Sequence, residues 1–127
     1  MTSQARLRVI RNVLLPGPII LGGVSLWMRA SGLTPAVEAS SLDAARIAVY
    51  GILTADFALL LVFRSFREKR QPSQRGAVSL MGWTTMETGA LLAALFIFMG
   101  GEPWPLAVAV FMILISWNLL PADPLRV

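Results

Sequence analysis

Residues 77–99 read AVSLMGWTTMETGALLAALFIFM: one acid, Glu87, and no base in 23 positions. At 1.5 Å per residue such a run makes a helix of about 34 Å, enough to cross the hydrocarbon of a bilayer. Its apolar residues do not alternate with polar ones, so a barrel strand is excluded and a helix with internally satisfied backbone is required. Three more runs share its character, roughly Val13 to Met28, Ile47 to Phe63 and Trp104 to Leu120. The sequence therefore predicts an all-α integral membrane four-helix bundle with short loops, a single transmembrane domain over 1–127 with spans near 13–30, 44–66, 77–99 and 104–120.

Composition agrees. Of 127 residues, 56% are hydrophobic and only 14% charged, too few polar groups to cover a soluble domain of this size. Cysteine and histidine are absent, which removes disulfides, thiolate nucleophiles, zinc-type metal centres and histidine-based triads. No phosphate loop, dinucleotide fingerprint or nucleophile elbow occurs, so no cofactor and no metal are expected.

The breaks between spans carry turn chemistry. Ser31-Gly32-Leu33-Thr34-Pro35 ends the first helix, Gln71-Pro72-Ser73 separates the second from the third, Gly100-Gly101-Glu102-Pro103 turns into the fourth, and Pro121 stops it. Ser40 followed by Asp43 resembles a capping box opening the second. Pro16-Gly17-Pro18 kinks the first helix or sets its first turn at the interface. The same triplet, with Arg29 directly after the run, argues against a cleaved leader ending at Val37-Glu38-Ala39.

Basic residues set the direction. Arg6, Arg8, Arg11, Arg64, Arg67, Lys69, Arg70, Arg75 and Arg126 fall on one side, and only Arg29 and Arg46 on the other. The bias places both termini in the cytoplasm, in what we expect to be a bacterial inner membrane. Trp27 and Trp104 mark the outer boundary and Trp117 the inner one. The cations serve topology and contact with membrane lipids, and without interleaved aromatics no nucleic-acid partner is expected.

Two acids lie deep in the spans. Asp56 is about 12 Å from the cytoplasmic boundary and Glu87 about 15 Å, on antiparallel helices. Both sit in a pattern G-x-x-T-x-[DE], from Gly51 through Thr54 to Asp56 and from Gly82 through Thr85 to Glu87. Small residues form stripes, Ala44, Ala48, Gly51, Ala55 and Ala58 on the second helix and Gly82, Thr85, Gly89 and Ala93 on the third. If these stripes pack against neighbouring helices, each acid points elsewhere, about 120–140° round. A charged acid at the bilayer centre is costly and functional by default, so Asp56 and Glu87 are the candidate catalytic residues. We expect a protonatable pair lining one pocket, with Tyr50, Thr54, Trp83, Thr84 and Thr88 as candidate neighbours. Such a pair binds or protonates a lipophilic small molecule in the manner of an acid-catalysed isomerase or terpenoid cyclase. The alternatives are an accessory subunit of a larger membrane complex, or homo-oligomer, whose acids join helices at about 0.6–2 kcal/mol, and a small proton-coupled carrier.

The element Leu42-Asp43-Ala44-Ala45-Arg46-Ile47-Ala48-Val49-Tyr50-Gly51, with a basic loop before a Gly-rich third helix, resembles small bacterial four-helix membrane proteins allied to the DoxX group. The resemblance implies the fold and assigns no site residue.

The topology is tested with single cysteines in this cysteine-free chain. Ser73→Cys should react with a membrane-impermeant maleimide only from the cytoplasmic side and Ser41→Cys only from the opposite side. Labelling of both from one side would refute the four-span reading.

Overall fold

In the computed structural model, which describes residues 3–123, helix accounts for most of the chain. The elements are α1 (Ser3–Leu14), α2 (Pro16–Ala30), α3 (Ala39–Glu68), α4 (Pro72–Phe98) and α5 (Trp104–Leu119). Three helical stretches, Gln4–Ala30, Ala39–Glu68 and Pro72–Phe98, are long and apolar enough to cross a membrane, and α5 is a shorter apolar helix.

The first three helical stretches outrun the apolar runs that revealed them, because polar residues at the ends continue the backbone hydrogen bonding, whereas α5 matches its run to within a residue. Pro16-Gly17-Pro18 does not begin the first helix. It interrupts a rod that starts at Ser3 and passes through Leu15 in right-handed helical geometry. Pro16 and Pro18 lack the N–H groups that would bond the carbonyls of Asn12 and Leu14, so the rod is divided there. The capping-box expectation at Ser40 is also corrected. Glu38 occupies the cap position without a side-chain bond, and Asp43 turns to Arg46 at 2.6 Å instead.

The centre of the structure is α4, which contacts α1, α2, α3 and α5, whereas α2 and α3 scarcely meet one another. Residues buried on α4 include Gly82, Trp83, Met86, Gly89, Ala90, Ala93 and Ala94, and they surround the helix rather than forming one stripe. The small members let backbones approach on several sides. A side chain at Gly82 would meet Leu120 and Phe63, and one at Gly89 would meet Asp56 and Leu53. By contrast α3 buries a single stripe, Val49, Leu53, Asp56, Leu60 and Arg67, and leaves Ile47 (74%) and Val62 (58%) outward. Exposed apolar surface of this kind suits lipid contact rather than water.

Two closures fix the ends. At one, Gly100 adopts φ 109°, and the Gly100 and Gly101 amides donate to Ile97 and Phe96 carbonyls at 3.0 and 2.8 Å. At the other, the chain after α5 folds back onto α3 and α4. Trp83 Nε1 donates to the Leu120 carbonyl at 3.0 Å, Ser79 Oγ to Pro121 at 2.9 Å, and Arg67 to Pro121 at 3.2 Å and to the Asp123 carbonyl at 2.6 Å. Arg67 is thus 1% exposed and belongs to the interior, not to a solvated loop. Arg64 and Arg75 likewise lie in α3 and α4, leaving only residues 69–71 between those helices. Without these donors the carbonyls beyond α5 would be buried unpaired, a loss of about 1–3 kcal/mol each.

Gly89→Val should lower the unfolding midpoint in a detergent-denaturation titration by the equivalent of about 1–3 kcal/mol, because its branched side chain collides with Asp56 and Leu53. Gly23, which faces open space, should accept alanine without loss and gain up to about 1 kcal/mol of helix propensity. Equal effects at the two sites would contradict the α3–α4 packing.

Candidate functional site

The two deep acids occupy different interfaces. Asp56 lies on the buried stripe of α3, 5% exposed, with its carboxyl against Gly89 of α4. Glu87 precedes Gly89 by two residues, a turn of about 200°, and so leaves α4 on the opposite side. Its Oε1 lies 3.2 Å from where a side chain on Gly17 of α2 would begin. Its Oε2 is buried and has no hydrogen-bond partner among the described residues. The helix α4 stands between the carboxyls, so the structure does not bring Asp56 and Glu87 into one pocket.

The small-residue stripes explain the difference. The α4 stripe packs as expected, with Gly82, Gly89 and Ala93 buried. The α3 stripe does the reverse, and Ala44, Ala48, Gly51, Ala55 and Ala58 are all exposed. Asp56 therefore faces the partner helix rather than a separate surface. The gap that accommodates its carboxyl comes from the missing side chain at Gly89.

A sizeable cavity lies elsewhere. A groove of about 570 Å³ runs between α3 and α5. Helical spacing puts Tyr50, Leu53, Thr54 and Phe57 on one wall and Trp104, Val108, Phe111 and Ile115 on the other. Of the candidate neighbours, Tyr50 and Thr54 line it and the others do not. Trp83 is 1% exposed in the core, where its indole N–H binds the α5 terminus. Thr84 and Thr88 are exposed on α4, and their hydroxyls donate to carbonyls of their own helix, Thr84 to Leu80 and Met81 and Thr88 to Thr84. Neither Asp56 nor Glu87 reaches the groove.

Its mouth is built by a network that the sequence pattern did not single out. Tyr50 and Trp104 stack with ring centroids 5.1 Å apart and planes tilted by 39°. The Tyr50 hydroxyl donates to the Glu102 carboxylate. Arg46, one turn before Tyr50, grips the same carboxylate through Nε at 2.8 and 3.0 Å and a terminal nitrogen at 2.8 Å, and reaches Asp43 with another. Arg29 donates to the Gly101 carbonyl at 2.5 Å. Both arginines of this side are therefore engaged with the 99–103 turn or its neighbours. The available signal was the i, i+4 spacing of Arg46 and Tyr50 beside the lone acid of that turn.

The Arg46 guanidinium, followed by the Tyr50 hydroxyl, holds the Glu102 carboxyl down at about 2, from an ordinary 4.5. A depressed carboxyl contributes stability above its unfolded value, and that contribution disappears as pH falls from about 4.5 toward 2. Glu102→Gln should thus lose stability relative to the parent at pH 7, and the difference should shrink across that acid interval. A pH-independent difference in unfolding midpoints would show that the carboxylate is not the stabilising group.

No known family matches this chain, nor does any curated protein or solved structure, so the chemistry of the site rests on its own geometry.

Proposed function

We propose that this is an integral membrane protein, with both termini in the cytoplasm of a bacterial cell, that binds a lipophilic small molecule in the α3–α5 groove. The carrying observation is the groove itself. Its volume of about 570 Å³ falls in the range of small-molecule sites, and its walls are apolar and aromatic with few polar groups. The Tyr50 hydroxyl is oriented at one end by Glu102, which supplies a fixed polar reference in an otherwise apolar channel. The orientation is supported by the basic residues. Arg29 and Arg46 are held by internal partners, so the cations of the 69–71 end and of α1 dominate the topological bias. Arg126, counted on that side, lies outside the described residues.

The geometry favours binding over acid-catalysed isomerisation or cyclisation at this groove, since both carboxyls face α4 or α2. Acid chemistry at Asp56 or Glu87 requires a ligand entering beside α4. The resemblance to the DoxX-allied proteins contributes a fold and no residue role. A second reading, an accessory subunit or homo-oligomer, is favoured by the outward stripe from Ala44 to Ala58, a surface that admits close approach of another helix.

The test is co-purification. Protein extracted in mild detergent should carry an organic-extractable lipophile, identified by mass spectrometry, and Thr54→Trp should deplete it at least about tenfold by filling the groove. Asp56→Asn and Glu87→Gln should leave its occupancy unchanged. Equal recovery from the parent and Thr54→Trp would refute binding at this groove, and loss in either amide variant would return the acids to the site.

A further inference from the structure

A second cavity, of about 270 Å³, lies at the far end of α5 from the Tyr50–Trp104 mouth. Its walls are Arg8 and Arg11 of α1, Trp117 in the last turn of α5, and Pro121, Ala122 and Asp123 of the returning chain. Arg8 and Arg11 are three residues apart and so share one face of α1. The Arg11 guanidinium carbon lies 4.7 Å from the centre of the Trp117 ring and 5.9 Å from that of Trp83. Its Nε is buried and finds no hydrogen-bond partner among the described residues. No carboxylate of the described residues forms an ion pair with Arg8 or Arg11, in contrast to Arg46 and Arg64.

From this we infer that the cavity is a binding site for the phosphate of an anionic lipid headgroup. A guanidinium packed against an aromatic ring keeps its N–H donors available, and these match phosphate oxygens in a bidentate fork. A buried donor without an acceptor is costly, so its native environment supplies one. The wall chemistry is net positive, two guanidiniums against the Asp123 carboxyl, whose backbone oxygen is already taken by Arg67. The volume exceeds what a bare phosphate fills and leaves room for the rest of a headgroup. The position is also right. Given helices that cross a bilayer, the end of α5 and the Arg8–Arg11 turn of α1 lie toward headgroup depth, where basic pockets between helices take anionic lipids. This site is independent of the α3–α5 groove and needs no ligand there.

The experiment uses the full chain in detergent, titrated with phosphatidylglycerol, phosphatidylcholine or inorganic phosphate and read by native mass spectrometry. Phosphatidylglycerol should bind the parent at least about tenfold more tightly than Arg8→Gln/Arg11→Gln, with about fivefold lost for Arg8→Gln alone, and phosphatidylcholine should not distinguish them. Arg8 is exposed and makes no hydrogen bond among the described residues, so its single variant remains informative if the double variant fails to fold. Unchanged phosphatidylglycerol affinity in Arg8→Gln would overturn the site. Displacement of the lipid by inorganic phosphate at comparable concentration would overturn the lipid assignment in favour of a free anion.

Discussion

Everything in this fold depends on α4 being narrow enough to be touched from several sides. A helix bearing large side chains at every position would hold its neighbours about 10 Å away and leave gaps between them. Gly82, Gly89, Ala90, Ala93 and Ala94 remove that spacing, so α3 approaches on the Gly82–Gly89 face and α2 on the Glu87 face. Within a bilayer no hydrophobic force draws helices together, and dispersion contacts from close packing must supply the association. The large residues that remain on α4 are placed where they join other elements, as Trp83 does with the end of α5.

The same narrowness governs where polarity is tolerated. Asp56 has space because Gly89 has no side chain, and Glu87 has space because Gly17 has none. Each acid is matched to a glycine on a facing helix, not to the other acid. The repeated G-x-x-T-x-[DE] pattern therefore describes two similar helical segments placed in dissimilar surroundings. At the ends of the helices polarity is handled differently, through ion pairs and hydrogen bonds around Glu102 and through donors from Arg67, Ser79 and Trp83 to the chain beyond α5.

The helices, their approximate limits and the Gly100–Pro103 turn were legible because apolar length and Gly-Pro chemistry are local properties. The inward face of α3 was misread. In lipid both faces of a helix are apolar, so hydrophobic phase carries little information, and the small residues offered a false substitute. The polar residues were the better guide. Asp56 and Arg67 are eleven positions apart, close to three full turns, and they share the packed face with Leu53 and Leu60. The mouth of the groove was illegible for another reason. It joins Arg46 and Tyr50 to Glu102 across more than fifty positions, and no local pattern reports such a pairing. The α1–α2 rod was partly legible, since the prolines that divide it stood out but its extension to Ser3 was hidden by polar composition.

The scant contact between α2 and α3 also bears on biosynthesis. These helices are consecutive in the chain, yet the partner of each is α4, which leaves the ribosome later. Until that happens the Gly17 backbone and the Asp56 carboxyl lack the α4 surface that covers them in the finished fold. The arrival of α4 between them then joins two scarcely touching helices into one assembly. The nascent chain thus passes through a period in which Asp56 lacks its glycine niche.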